Sequence, residues 1–221
     1  MKRHMFVVLE GGDGSGKTSV RKHLFRRLVD AGDEVLTVIQ TSWLVPEHTE
    51  VITNARFHQT EYPPEVITRA YVGDKEATTR YFVEPHLPFR HVVGDRYVAS
   101  DMVYHRLLWD IPPERTYEAY AASSIRFPDL TVFVDTDPDT AYARLQNRAG
   151  DRRNRWDTLE AQKTLYEAFQ EALFSGRYPR LGSVVRVDNR GSFEQTAAAV
   201  DRHVLPLVKA VGAESTSREG R

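Results

Sequence analysis

The sequence predicts an α/β fold, a five-stranded parallel sheet flanked by helices in three layers. Five short apolar runs, at 5–9, 34–39, 90–94, 130–134 and 183–187, alternate with segments of helical periodicity. Alternation of that kind packs into a parallel sheet with right-handed crossovers. The first run, Met5 to Leu9, carries no polar residue, as a central strand covered on both faces requires. A glycine-rich loop ending in Lys17-Thr18 then joins this run to the first helical pattern.

The remaining elements follow in order. Helix one runs from about Lys17 to Ala31, with Val20, Leu24 and Leu28 on one stripe, and stops at Gly32. The second strand leads through a loop containing Trp43 into a helix over 46–59. Pro63-Pro64 opens a long helix over about 65–83 or beyond, since proline is tolerated in a first turn. Helices over 99–108 and behind Pro112-Pro113 separate the third and fourth strands. Asp137-Pro138 opens a helix to about Asn147, and an arginine-rich segment, 148–156, precedes an amphipathic helix over 157–174. The last helix spans 192–211. The polar stretch 212–221 reads as a disordered tail, so 1–211 is expected to form one domain.

Composition narrows the functional classes. The 221 residues carry a net charge of −1, which offers no broad basic field for nucleic acid or an anionic membrane. With 0 cysteines, disulfides and thiolate chemistry are excluded, which suits a cytoplasmic protein. The apolar run behind the basic start is too short for a signal sequence, and no stretch approaches a membrane span.

Residues Gly11-Gly12-Asp13-Gly14-Ser15-Gly16-Lys17-Thr18 read G-x-x-x-x-G-K-[ST] between strand and helix, the context of a phosphate-binding loop and hence of a P-loop NTPase fold. Glycines let successive N–H groups turn toward a triphosphate, and the helix adds the positive end of its dipole. Residues 11–19, through Ser19, form the ATP-binding set; Lys17 reaches the β and γ phosphates and the Thr18 hydroxyl ligates Mg²⁺. In such sheets ligands gather at the carboxyl ends of strands, which selects 40–45, 95–100, 135–137 and 188–191. Asp95, ending the third strand, suits a second Mg²⁺ contact, and Arg96 suits a clamp on a phosphoryl group. Asp135 ends the fourth strand in the same way, or caps the next helix. The arginine-rich segment suits a lid that closes over the triphosphate, as against a solvated basic loop.

These residues also carry a resemblance. Phe6 to Thr18, the segment Asp95-Arg96-Tyr97-Val98-Ala99-Ser100 continuing through Tyr104, and Asn154-Arg155-Trp156-Asp157 resemble three motifs of the thymidylate kinases, within the nucleoside monophosphate kinase group. The resemblance covers roughly 5–190. It implies Mg²⁺-dependent transfer of the ATP γ-phosphoryl group to a nucleoside monophosphate. It gives Lys17, Arg96 and the lid arginines Arg148, Arg153 and Arg155 catalytic roles, because the loop holds no second basic residue. Asp13, Arg96, Ser100, Tyr104 and His105 would meet the acceptor, together with Trp43, Arg56, and Tyr71 with Lys75 four residues on along one helix face. Arg190, in the turn 188–191, falls on the adenine side. A homodimer is compatible with this reading.

The departures fall in the acceptor site. The family's E-P-G-G-T type loop after strand two is replaced by Gln40-Thr41-Ser42-Trp43-Leu44-Val45-Pro46, Asp74-Lys75 stands where an arginine is usual, and His105 replaces a glutamine. A lysine cannot reproduce the bidentate contact of an arginine. Two other readings therefore stay open: a kinase of the same fold acting on a nucleoside or specialised metabolite, and a nucleotide-binding switch.

Overall fold

β1 (Phe6–Glu10) lies in the middle of the sheet, with β3 (His91–Asp95) on one side and β4 (Leu130–Asp135) on the other. β2 (Val35–Ile39) and β5 (Ser183–Asp188) close the order β2-β3-β1-β4-β5, and every neighbouring pair is parallel. This is the predicted sheet. The structure, a computed structural model, describes residues 4–147 and 156–213. The lid arginines Arg148, Arg153 and Arg155, and the tail from 214 onward, lie outside the described residues.

Burial explains the order. Every residue of β1 and β4 is buried, whereas β2 and β5 expose alternate side chains, as edge strands do. Along β1 the pleat sends Phe6 and Val8 into one core and Val7 and Leu9 into the other. α1 (Lys17–Asp30) buries Val20, Leu24 and Leu28 in the second core and packs on α9 (Phe193–His203), with α10 (Leu205–Ala213) completing that layer. Each such side chain contributes about 1.5–3 kcal/mol on leaving water. The opposite face is covered by α2 (Pro46–Phe57), α3 (Pro64–Thr78), α5 (Val98–Trp109), α6 (Pro113–Ala121) and α8 (Leu159–Phe174).

α2 and α3 approach closely because residue 73 is glycine: a Cβ there would sit 2.0 Å from His48 Nε2.

Three boundaries differ from expectation. The helix expected over 65–83 is α3 followed by a π-helical turn, Thr79–Val83, and the short α4 (Glu84–His86). The wider turn accompanies Thr79 Oγ1, which meets the Tyr97 hydroxyl at 3.2 Å and accepts the Arg126 N–H at 3.0 Å. The helix expected over 192–211 divides into α9 and α10 at Val204, just ahead of Pro206, whose missing N–H cannot continue the α9 ladder. α10 then runs to Ala213, past the residue where the tail was expected to begin. α7 (Pro138–Gln146) starts where predicted, and its cap is Asp137, which accepts the Thr140 N–H at 2.9 Å.

Candidate active site at the carboxyl edge of the sheet

The register sets Leu9 beside Asp95, Glu10 beside Phe133 and Asp135 beside Asp188, so the carboxyl ends of the strands lie level around residues 11–16. At Gly14 and Gly16 the loop has no room for a side chain. A Cβ on Gly14 would come 2.5 Å from the Ala141 carbonyl oxygen and one on Gly16 2.4 Å from Asn189 Nδ2, and both glycines have positive φ. Its base is tied to the ends of β4 and β5: the Ser15 carbonyl accepts from Thr136 Oγ1 at 2.9 Å and Asn189 Nδ2 at 2.6 Å. Lys17 is buried, and its Nζ donates to the Gly12 carbonyl at 2.7 Å and Ser15 Oγ at 3.3 Å. Burial brings Lys17 down to about 7, and the positive charge of Arg96 acts in the same direction.

Arg96 links this loop to α5. Its backbone is left-handed, φ 68, an uncommon state for a non-glycine residue and one that structure must enforce. Its guanidinium donates to the Gly11 carbonyl at 2.9 Å, to Ser100 Oγ at 3.2 Å and to Asp13 Oδ1 at 2.5 Å, and lies over the Tyr104 ring. Glu10 fixes the turn from behind: it accepts the Tyr97 N–H at 2.8 Å, the Ser100 N–H at 3.3 Å and the Ser100 hydroxyl at 2.5 Å. Burial drives the Glu10 carboxyl upward, opposed by the Ser100 hydroxyl and the Arg96 charge.

Among the residues expected to meet the acceptor, Tyr71 and His105 form an edge-packed group with Trp109, the Tyr71 and His105 centroids lying 4.6 Å apart. His105 is buried; its Nδ1 meets Thr116 Oγ1 at 3.1 Å and its Nε2 has no partner among the described residues. Burial takes His105 down to about 4, opposed by Asp101, so the imidazole is neutral at pH 7. Tyr104 packs edge-on against Trp156 at 5.5 Å. Arg56 is half-buried, electrostatically coupled to Tyr71 and Tyr104, and has no carboxylate within ion-pair distance among the described residues.

Lys75, expected to meet the acceptor, is engaged within the fold. It is 0% exposed, its Nζ donating to the Gln40 carbonyl at 2.5 Å and pairing with Asp101 Oδ2 at 2.9 Å. Asp101 also accepts from Gln40 Nε2 at 2.7 Å and the Tyr120 hydroxyl at 2.6 Å, so all members of this buried knot are satisfied within the fold. Arg190 turns back onto Asp188, its Nε and Nη2 at 2.8 and 2.7 Å, and it is the neighbouring Asn189 that reaches the phosphate-binding loop. Asp135 is buried and paired with Arg186 at 2.9 Å. Asp95 lies 3.4 Å from Arg21. Thr18 is exposed at the first turn of α1, and Ser19 beside it.

Glu10, Gln40, Thr136 and Asn189 sit at the strand ends where the sequence places site residues, but the partner each one meets could not be read from it. Arg144, on α7, donates to the Asn189 carbonyl at 2.9 Å and would lie 3.7 Å from a Cβ on Gly16, which puts a cation beside the loop. Asp101, which holds Lys75 and Gln40, gave no signal in the sequence, and Asp74 was marked only by standing, with Lys75, where an arginine is usual. Among the described residues no cluster of three or more His, Asp or Glu could hold a metal by itself. No helix there is long and apolar enough to cross a membrane.

Comparison with known proteins gives a consistent result. Residues 9–183 match the model of the family described as thymidylate kinase. The thymidylate kinase of Leifsonia xyli subsp. xyli is 31% identical over 202 residues, 89% of this chain and 92% of that protein. That of Clavibacter michiganensis subsp. michiganensis is 32% identical over 215 residues, covering 93% and 97%. That of Oceanobacillus iheyensis is 24% identical over 213 residues, covering 92% and 89%.

Proposed function

The chain belongs to the thymidylate kinase family, and from that premise we propose that it transfers the γ-phosphoryl group of ATP to thymidylate, giving ADP and the nucleoside diphosphate. The observation that carries this reading is Arg96, forced into a left-handed backbone so that one guanidinium spans Gly11, Asp13 and Ser100. From there it can meet both the group being transferred and the phosphate that receives it. An acceptor phosphate oxygen needs no protein base: the bond from the γ phosphorus to its bridging oxygen breaks, the acceptor oxygen bonds to phosphorus, and ADP leaves. Charge neutralisation and alignment supply the acceleration.

Residues 11–19 hold the triphosphate through main-chain N–H groups, and Lys17 moves from the Gly12 carbonyl onto the phosphates. Thr18 and Asp95 fit a Mg²⁺ that arrives with ATP: the Thr18 hydroxyl makes no hydrogen bond within the described residues, and Asp95 acts electrostatically on both Lys17 and Arg96. Mg²⁺ neutralises charge on the β and γ phosphates. Arg144 supplies further positive charge beside the loop, and Arg148, Arg153 and Arg155 keep the catalytic roles that the family resemblance implies. Arg56 and Arg96 take the acceptor phosphate, and Asp13, Ser100 and Tyr104 surround its sugar. We assign the enzyme to the cytoplasm, with a homodimer as its candidate assembly.

A second acceptor is favoured by one observation: Lys75 is committed to Asp101 and Gln40, which leaves base recognition to neutral groups such as His105 and Trp43. Release of ADP measured against a panel of nucleoside monophosphates and nucleosides tests both. Thymidylate is expected to give the highest kcat/KM. Activity only on unphosphorylated acceptors, or full turnover by Lys17→Ala, would overturn the assignment.

A further inference from the structure

Trp43 has φ 57, a left-handed conformation that a bulky side chain adopts only when its surroundings leave no alternative. The cause is Asp74, a buried carboxylate on α3. Both of its oxygens accept the Ser42 N–H at 2.9 Å, and Oδ1 also accepts the Ser42 hydroxyl at 2.7 Å and the Trp43 N–H at 3.1 Å. One residue further on, Lys75 holds the root of the same loop through the Gln40 carbonyl, and Asp101 holds the Gln40 side chain. Two consecutive residues of α3 therefore grip the segment 40–43 at three of its residues. Meanwhile the Trp43 indole is 41% exposed, in the loop leaving β2 where Ile39 pairs with Asp95, next to Arg96.

We propose that Asp74 is a positioning residue of the acceptor site, holding Ser42 and Trp43 so that the indole is presented to the base and sugar of the acceptor nucleotide. This rests on the kinase function proposed above. An indole offers a flat apolar face and one N–H donor, which suits a heteroaromatic base. The acceptor's phosphate is left to Arg56 and Arg96. Trp43 then selects acceptors by stacking area, and Asp74 sets that selection without touching the ligand. The anchor replaces the loop signature that the sequence lacks.

Three variants test this: Asp74→Asn, Trp43→Ala and the double variant, each with KM for thymidylate and for ATP. Asparagine keeps one acceptor oxygen but turns an NH2 toward the loop amides. Each single change is expected to raise the acceptor KM about 10- to 100-fold and to leave the ATP KM within about twofold. The double variant should match Trp43→Ala alone, because Asp74 acts through Trp43. Additive losses, or a change confined to ATP, would overturn the proposal. Hydrogen exchange on the ligand-free protein reads the anchor without any activity. The Ser42 and Trp43 amides should exchange at least about tenfold faster in Asp74→Asn, and unchanged exchange would sink the idea. If Asp74→Asn does not fold, Ser42→Ala removes only the hydroxyl contact and should shift the acceptor KM in the same direction. If the wild type phosphorylates no nucleoside monophosphate, the assigned reaction fails by itself. The exchange rates, and quenching of Trp43 emission by added nucleotide relative to Trp43→Phe, still decide the role of Asp74.

Discussion

The two ends of the site, which we assign to the donor and to the acceptor, lie on the same sheet edge but are built from different materials. At the donor end, consecutive residues from Gly11 to Thr18 present main-chain groups, with glycines where a Cβ would strike Ala141 or Asn189. At the acceptor end, side chains remote in sequence hold one another: Asp74 reaches Trp43 across 31 residues and Gln40 reaches Asp101 across 61. A triphosphate has the same shape wherever it binds, so a main-chain cradle serves it. An acceptor is distinguished by its base, and side-chain networks can be rewired for that without moving a strand.

The sharpest way to break this comparison is to remove the acceptor end's buried cation. Lys75→Met fills a similar volume but leaves Asp101 buried beside only Gln40 and Tyr120. Breaking a buried pair from one side costs about 3–5 kcal/mol. Urea unfolding should show that loss, and Lys75→Met combined with Asp101→Leu should recover part of it. Were Lys75 an acceptor contact, the single change would leave stability nearly intact and raise only the acceptor KM.

A somewhat smaller effect belongs to His105. The folded protein holds its imidazole neutral down to about 4 because the ring is buried, whereas an unfolded histidine titrates near 6.5. Between those values the unfolded chain binds more protons, so stability falls as pH drops from 6.5 toward 4, by at most about 3 kcal/mol. Thermal melts at pH 7 and pH 5 should differ by less in His105→Gln than in the wild type. An equal difference in both proteins would show that other groups carry the acid sensitivity.

These two sites also show what could be read from sequence. The phosphate-binding loop was legible because its spacing and its strand and helix context lie within one short stretch, and the strand-end rule then found Asp95 and Arg96. The family resemblance implies a ligand contact for Lys75, and helical spacing puts it on a face with Tyr71. Spacing cannot say that Asp101, from another helix, reaches that lysine first. Asp74 stands out in the sequence only through the Asp74-Lys75 departure, and its contacts stay hidden because its partners are loop amides that any residue carries. The division of the last helix was legible at Pro206, which a helix tolerates in its first turn but not in its interior, and the helix expected over 192–211 ran through it.

The smallest predicted effect tests the donor end alone. In the ligand-free enzyme Lys17 is brought down to about 7 by burial and by the Arg96 charge, so at pH 8 most of it is neutral. The phosphates of ATP favour the ammonium form, and binding at pH 8 should therefore take up close to one proton, about 0.9 at that pH. At pH 6 the lysine is already protonated and uptake should vanish. Affinity should accordingly weaken by up to about tenfold for each pH unit above 7. Titration calorimetry in two buffers of different ionisation enthalpy reads the proton directly. Identical heats in both buffers at pH 8 would mean that the lysine is charged before ATP arrives. His105 is neutral throughout that range, so the acceptor end contributes nothing through it, and any uptake lost in Lys17→Arg belongs to the phosphate-binding loop.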